Sequence, residues 1–182
     1  MLKTTDILDE KNKILHKVSK EATFPLTDND LKLIDEAYEY LRLSQDEEKA
    51  EELDLRPGMG LAFPQLGELK RIFIISYKTE EGDFIEYTVI NPKILSYSKE
   101  LVYVEEGEGC LSVNREVEGI VPRHARVTVG FYDVSGIYKE ERVREEFAVA
   151  FQHEIDHLNG ILFTDKIDKK DPFKDKDKMR AI

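Results

Sequence analysis

The segment of this chain best suited to chemistry is His153-Glu154-Ile155-Asp156-His157. Residues four apart on a helix lie on one face, one turn above another, so the two imidazoles can share one metal ion. The glutamate beside the first histidine then reaches a water polarised by that ion. The plainer alternative is a helix that carries His, Glu, Asp and His as surface polar groups. Two features weigh against it: two of the four histidines in the chain fall here, and the apolar stripe of the same stretch lies on another face.

A catalytic site of the zinc type has three protein ligands and an open position, so two histidines leave it incomplete. The metalloprotease continuation H-E-x-x-H-x-x-G-x-x-H keeps its glycine as Gly160 but puts Phe163 where the last ligand belongs. Asp165 and Asp168 follow the helix too soon to come from a second one, and the other histidines are His16 and His124. Cys110, the only cysteine, is the leading third ligand. A lone cysteine is usually an inert buried hydrophobe. Here it lies in Glu106-Gly107-Glu108-Gly109-Cys110-Leu111-Ser112, where glycines allow close backbone approach. One Cys and two His make an N/S donor set suited to Zn²⁺ or Fe²⁺. A third segment, Gly58-Met59-Gly60-Leu61-Ala62-Phe63-Pro64-Gln65, is no phosphate loop, since it lacks Gly-Lys-Ser/Thr and no strand precedes it. By itself it reads as a tight loop ahead of a strand.

These groups need elements to position them. Phe147, Phe151, Ile155 and Leu158 recur at helical spacing, with Gly160 as a stop, which predicts a helix over 144–158. Asp28 or Asn29 can cap an earlier helix with a buried stripe of Leu31, Ile34, Tyr38 and Leu41. Gln45 to Glu52 reads as a polar helix end or loop, closed by the Arg56-Pro57-Gly58 break. Strands are expected over 71–77, 84–90, 93–104, 126–132 and 139–143, with Asn91-Pro92 ending the second and a short closing strand at 161–163. Residues 1–27 look irregular or extended. The fold class is therefore α+β: antiparallel strands packed around a central metal-binding helix, with an additional N-terminal helix. Residues 1–168 are expected to form a single catalytic metallohydrolase domain, and 169–182 a charged, frayed C-terminal tail.

Composition limits the partners. A net charge of −11, from 38 acidic and 27 basic side chains, argues against direct nucleic-acid binding. The basic residues between Lys166 and Arg180 are interleaved with aspartates, which suits a solvated tail. No apolar run is long enough to span a membrane, and the start has no apolar signal core, so a cytoplasmic protein is expected.

Taken in order, the three segments resemble the peptide deformylase family, which carries a G-x-G-x-A-A-x-Q loop, an E-G-C-L-S segment and a Q-H-E-x-D-H helix. They appear here as Gly58 to Gln65, Glu108 to Ser112 and Gln152 to His157. The stretch Gln45 to Pro57 ahead of the first motif is similar to the longer, Gram-positive-type branch. The resemblance implies a hydrolase that removes the N-formyl group from the N-terminal methionine of newly made polypeptides, near the ribosome, and releases formate. It implies one divalent metal ion per chain held by Cys110, His153 and His157, with Fe²⁺ native and Zn²⁺, Co²⁺ or Ni²⁺ able to substitute. It implies Glu154 as the proton carrier, and the Gln65 side chain and the Leu111 N–H as oxyanion donors. Gly58, Met59, Gly60 and Gly109 would pair with the extended substrate, and Val149, Ala150 and Leu111 would line the methionine pocket. Glu108 would pair with Arg123, while Asp156 and Gln152 would orient ligands. Two rival readings are a general H-E-x-x-H metallopeptidase and a non-catalytic metal-stabilised binding protein; the latter would want a fourth ligand from His16 or His124. Phe63 departs from the pattern, which has its second alanine there. Pro64 restricts Phe63 to extended conformations, and alternation then predicts its ring on the active-site side with Gln65.

Overall fold

The computed structural model describes residues 1–182. Its framework is a five-stranded antiparallel sheet in the order β1-β2-β3-β6-β7: Gly60–Ala62, Ile72–Lys78, Phe84–Tyr97, Arg126–Tyr132 and Tyr138–Arg144. A second sheet has the order β5-β4-β8, from Arg123–His124, Leu101–Tyr103 and Arg180–Ala181. Helices α1 (Asp28–Ser44), α2 (Glu47–Leu53), α3 (Glu145–Leu158) and the single turn α4 (Phe163–Lys166) complete the chain.

Strand β2 shows why the large sheet is covered on both faces. Ile72 and Ile74 pack into the α1 side of the core, while Phe73 and Ile75 pack with Phe151, Ile155 and Leu158 of α3. Side chains alternate along a strand, so an uninterrupted apolar run such as Ile72 to Ile75 requires burial on both faces. The apolar stripe of α3 lies against this sheet as its spacing predicts, and the opposite face of the helix, with His153, Glu154 and His157, is buried as well. Gly160 ends the helix at φ +73°, and a side chain there would run into the backbone of His16.

Several local expectations are corrected. The cap of α1 is Thr27, whose hydroxyl accepts from the Asp30 N–H while the Asp30 carboxylate accepts from the Thr27 N–H. Its buried stripe runs through Ile34, Ala37, Tyr40 and Leu41, leaving Leu31 exposed. Asn91-Pro92 does not end a strand: β3 runs through it with a register shift between Ile90 and Lys93, and Asn91 takes φ +50°. The expected strand over 93–104 is split between the end of β3 and β4. The closing strand at 161–163 is absent; Leu162 leads into α4, with Asp165 accepting from its N–H. The charged tail ends in strand β8. Arg180–Ala181 pair in parallel with Val102–Tyr103, satisfying backbone groups that a free tail would leave to water.

Candidate metal centre

Three segments meet at one end of α3. His153 and His157 stand one turn apart with ring centroids 5.0 Å from each other. The loop before Val113 brings Cys110 to them, with its Sγ 3.3 Å from His157 Nε2. The donor atoms of Cys110, His153 and His157 all lie within 4.8 Å of one another, and all three residues are buried. Cys110, expected from the sequence as the third ligand, thus lies beside both histidines. His16 and His124 are bound elsewhere, to the carbonyls of Glu10 and Ser98.

The surrounding residues aim these donors. His153 Nδ1 donates to Glu108 at 2.9 Å, which turns its Nε2 towards the cluster. Glu108 also accepts two bonds from Arg123, each at 2.9 Å, and Arg123 reaches on to Asp156 at 2.5 Å. This chain ties the cysteine loop, β5 and α3 together. The Glu108–Arg123 pair is as expected; the bond from His153 to Glu108 has no counterpart in the sequence reading. Asp156 acts through Arg123. Gln152 holds the N–H and the carbonyl of His124, so it anchors the helix to β5 and its amide bonds neither the His153 nor the His157 ring. Arg56 was also missed. Its guanidinium donates to the carbonyls of Cys110 (3.2 Å), Leu111 (3.1 Å) and Val113 (3.0 Å), and to Asn114, which fixes the turn carrying the thiol. The only signal in the sequence is its place at the Arg56-Pro57-Gly58 break.

Glu154 lies beside the cluster. Burial pushes its carboxyl up to about 7, against opposing attraction from His153 and Arg123. A group poised there can both take and return a proton near neutral pH. Burial would raise Glu108 too, but the bond from His153 and the charge of Arg123 outweigh it and bring it down to about 2. His157 is pushed well below the ordinary imidazole value by burial, which favours the neutral form that ligates.

The donor chemistry fits a divalent cation. A soft thiolate and two imidazoles converge, and Glu154 Oε2 and His157 Nδ1 are buried without a partner in the chain. Buried polar atoms are rarely left unpaired, so the site is built around something polar.

A cleft of about 350 Å³ opens on these groups and is lined by all the residues expected to face substrate: Gly58, Met59, Gly60, Gly109, Leu111, Val149 and Ala150. Strand β1 pairs with β2 along one edge, and its first residue, Gly60, lines the cleft with Gly58 and Met59. A side chain at Gly60 would collide with the Glu154 carboxylate, and one at Gly58 would come within 2.8 Å of Leu111 Cδ1. Gln65 Oε1 accepts from the Ala62 N–H; its Nε2 donates to Ser112 Oγ at 3.0 Å and lies 3.7 Å from Cys110 Sγ. Phe63, expected at the cleft, is fully buried on the α1 side of the core. Residues 63–66 form a 3-10 turn, so strand alternation does not apply to them.

The chain matches the sequence profile of the polypeptide deformylase family over residues 4–173. It is 45% identical over 175 residues to a peptide deformylase of Macrococcus caseolyticus, covering 96% of this chain and 95% of the relative. A peptide deformylase of Shouchella clausii is 46% identical over 175 residues, with 96% of each chain covered. Among solved structures, a peptide deformylase of Plasmodium falciparum superposes with a TM-score of 0.72 at 31% identity, over 94% of this chain and 91% of that one. A Met-Ala-Ser-bound peptide deformylase of Acinetobacter baumannii superposes with a TM-score of 0.68 at 30% identity, over 88% and 96% of the two chains.

Proposed function

The chain belongs to the polypeptide deformylase family and removes the N-formyl group of nascent peptides, and we propose that Cys110, His153 and His157 hold its metal while Glu154 moves the protons. The observation that carries this assignment is the convergence of those three donors within 4.8 Å at the end of a cleft that Glu154 also lines.

The ion, when bound, supplies Lewis-acid polarisation and lowers the pKa of a water towards neutrality. Glu154 accepts the proton of the attacking water and passes it to the leaving amine. Negative charge that grows on the formyl oxygen is met by the Leu111 N–H, which has no acceptor within the chain, and by the Gln65 amide beside Cys110. Each such donor is worth roughly 3 kcal/mol. The Gly58-Met59-Gly60 edge and Gly109 pair with the extended peptide, in the manner of strand addition. Val149, Ala150 and Leu111 receive the methionine side chain.

The native ion in this proposal is Fe²⁺, with Zn²⁺, Co²⁺ and Ni²⁺ as substitutes. It rests on the family, because a Cys/His/His set suits zinc as well. We further propose that residues 1–168 form one catalytic domain with 169–182 laid against it. The proposal has the enzyme work in the cytoplasm near the ribosome, because its substrate is the newly made chain. Purification without oxygen, elemental analysis and an assay of formate release from a formyl-Met peptide test the whole assignment. Fully active protein containing only zinc would remove iron from it, and absence of formate would remove the activity.

A further inference from the structure

The docked tail reaches the substrate cleft. Ile182 donates its N–H to Tyr103 O at 3.0 Å and accepts from the Glu105 N–H at 3.0 Å, so both of its backbone polar groups are tied to the β4 segment. Two residues earlier, Arg180 grips both oxygens of Glu145 at 2.8 Å and donates to Glu100 at 3.0 Å. These ion pairs are exposed and add little energy, but with the parallel pairing to β4 they set the register of the strand. The register delivers the Ile182 side chain, with Val104, onto a small apolar cluster that contains Val149. Val104, Val149 and Ile182 all line the cleft. Val149 stands four residues before His153, one helical turn along the same face of α3.

We propose that Ile182 is a specificity-determining residue of the deformylation site. With Val104 and Val149 it walls the cleft beside α3 and limits the bulk of the apolar side chain that follows the formyl group. The inference rests on the deformylase reading. An apolar wall contributes binding that is equal in the ground and transition states, so removing it raises KM and spares kcat.

The test is formate release from formyl-Met-Ala-Ser, formyl-Phe-Ala-Ser and formyl-Ala-Ala-Ser by the parent enzyme, Ile182→Ala and Ile182→Trp. For Ile182→Ala, KM for the formyl-Met peptide should rise roughly threefold to tenfold with kcat within about twofold. The formyl-Phe peptide should gain ground on it. Ile182→Trp should reverse the preference and favour formyl-Ala. Equal losses on all three peptides would reveal a merely structural strand and overturn the inference, as would unchanged ratios in an active parent. A parent that releases no formate from any of them would instead overturn the deformylase reading, and the wall with it.

Discussion

At the scale of single residues, the proposed roles separate holding the ion from moving protons. Glu154 contributes no donor atom to the cluster of Cys110, His153 and His157, yet it lies against Gly60 in the same cleft. Glu154→Gln should therefore keep its metal and lose turnover by roughly 10²-fold or more. Elemental analysis beside the formate assay checks it, and metal loss in a folded Gln variant would show Glu154 to be a ligand. Cys110→Ser, by contrast, trades a soft thiolate for a hydroxyl. Metal content at fixed free metal should fall together with activity, and full occupancy in this variant would place the third ligand elsewhere. The buried Arg123 explains why neighbours matter as much: it is shared between Glu108 and Asp156, and Glu108 passes the constraint on to His153.

At the scale of elements, the segment from β1 to Gln65 illustrates how a local rule fails. Pro64 suggests an extended Phe63 and hence a ring beside Gln65. The chain instead turns at Phe63, with the Gly67 and Glu68 N–H groups closing back on Pro64 and Phe63. The ring then belongs to the buried cluster that also contains Ile34, Leu41 and Ile72. Phe63→Ala should accordingly cost about 3–5 kcal/mol, lowering the melting temperature on the order of 10 °C. KM for a formyl-Met peptide should change less than about twofold. A calorimetric scan and a kinetic series decide it: a stable variant with an altered KM would return the ring to the cleft. Helix α3 is the opposite case, where the apolar stripe and the His/Glu face are both set by one period and survive any packing arrangement.

At the scale of the whole molecule, the Glu108–Arg123–Asp156 chain joins the cysteine loop, the small sheet and α3, so its charge state bears on global stability. The Glu108 carboxyl has a folded value near 2 against an ordinary 4.5. A depressed carboxyl stabilises the fold fully above its unfolded value, and that contribution is lost as pH falls towards the folded one. Metal-stripped protein should thus lose urea stability between about pH 4.5 and 2. Glu108→Gln, less stable at neutral pH because Arg123 loses one of its two ionic partners, should show a shallower decline over that window. Parallel urea midpoints for the two proteins across it would show that Glu108 is not the responsible group.

What the sequence determined by itself was local in origin. The His-x-x-x-His spacing, the α3 stripe and the all-apolar β2 run follow from helical and strand periods that packing cannot change. The order of the three motifs around Gln65, Cys110 and His153 carried the family and singled out the three donors that the fold brings together. The bounds of β6 at Arg126–Tyr132 were legible for the same reason. Tertiary structure alone decided the rest, because it depends on partners distant in the chain. Glu108 reaches His153 across 45 residues, Arg56 reaches the carbonyl of Cys110 across 54, and Arg180 reaches Glu100 across 80. A charged tail looks solvated until a strand edge supplies its hydrogen bonds, and a phenylalanine in a motif loop has no predictable side until the core that receives it has closed.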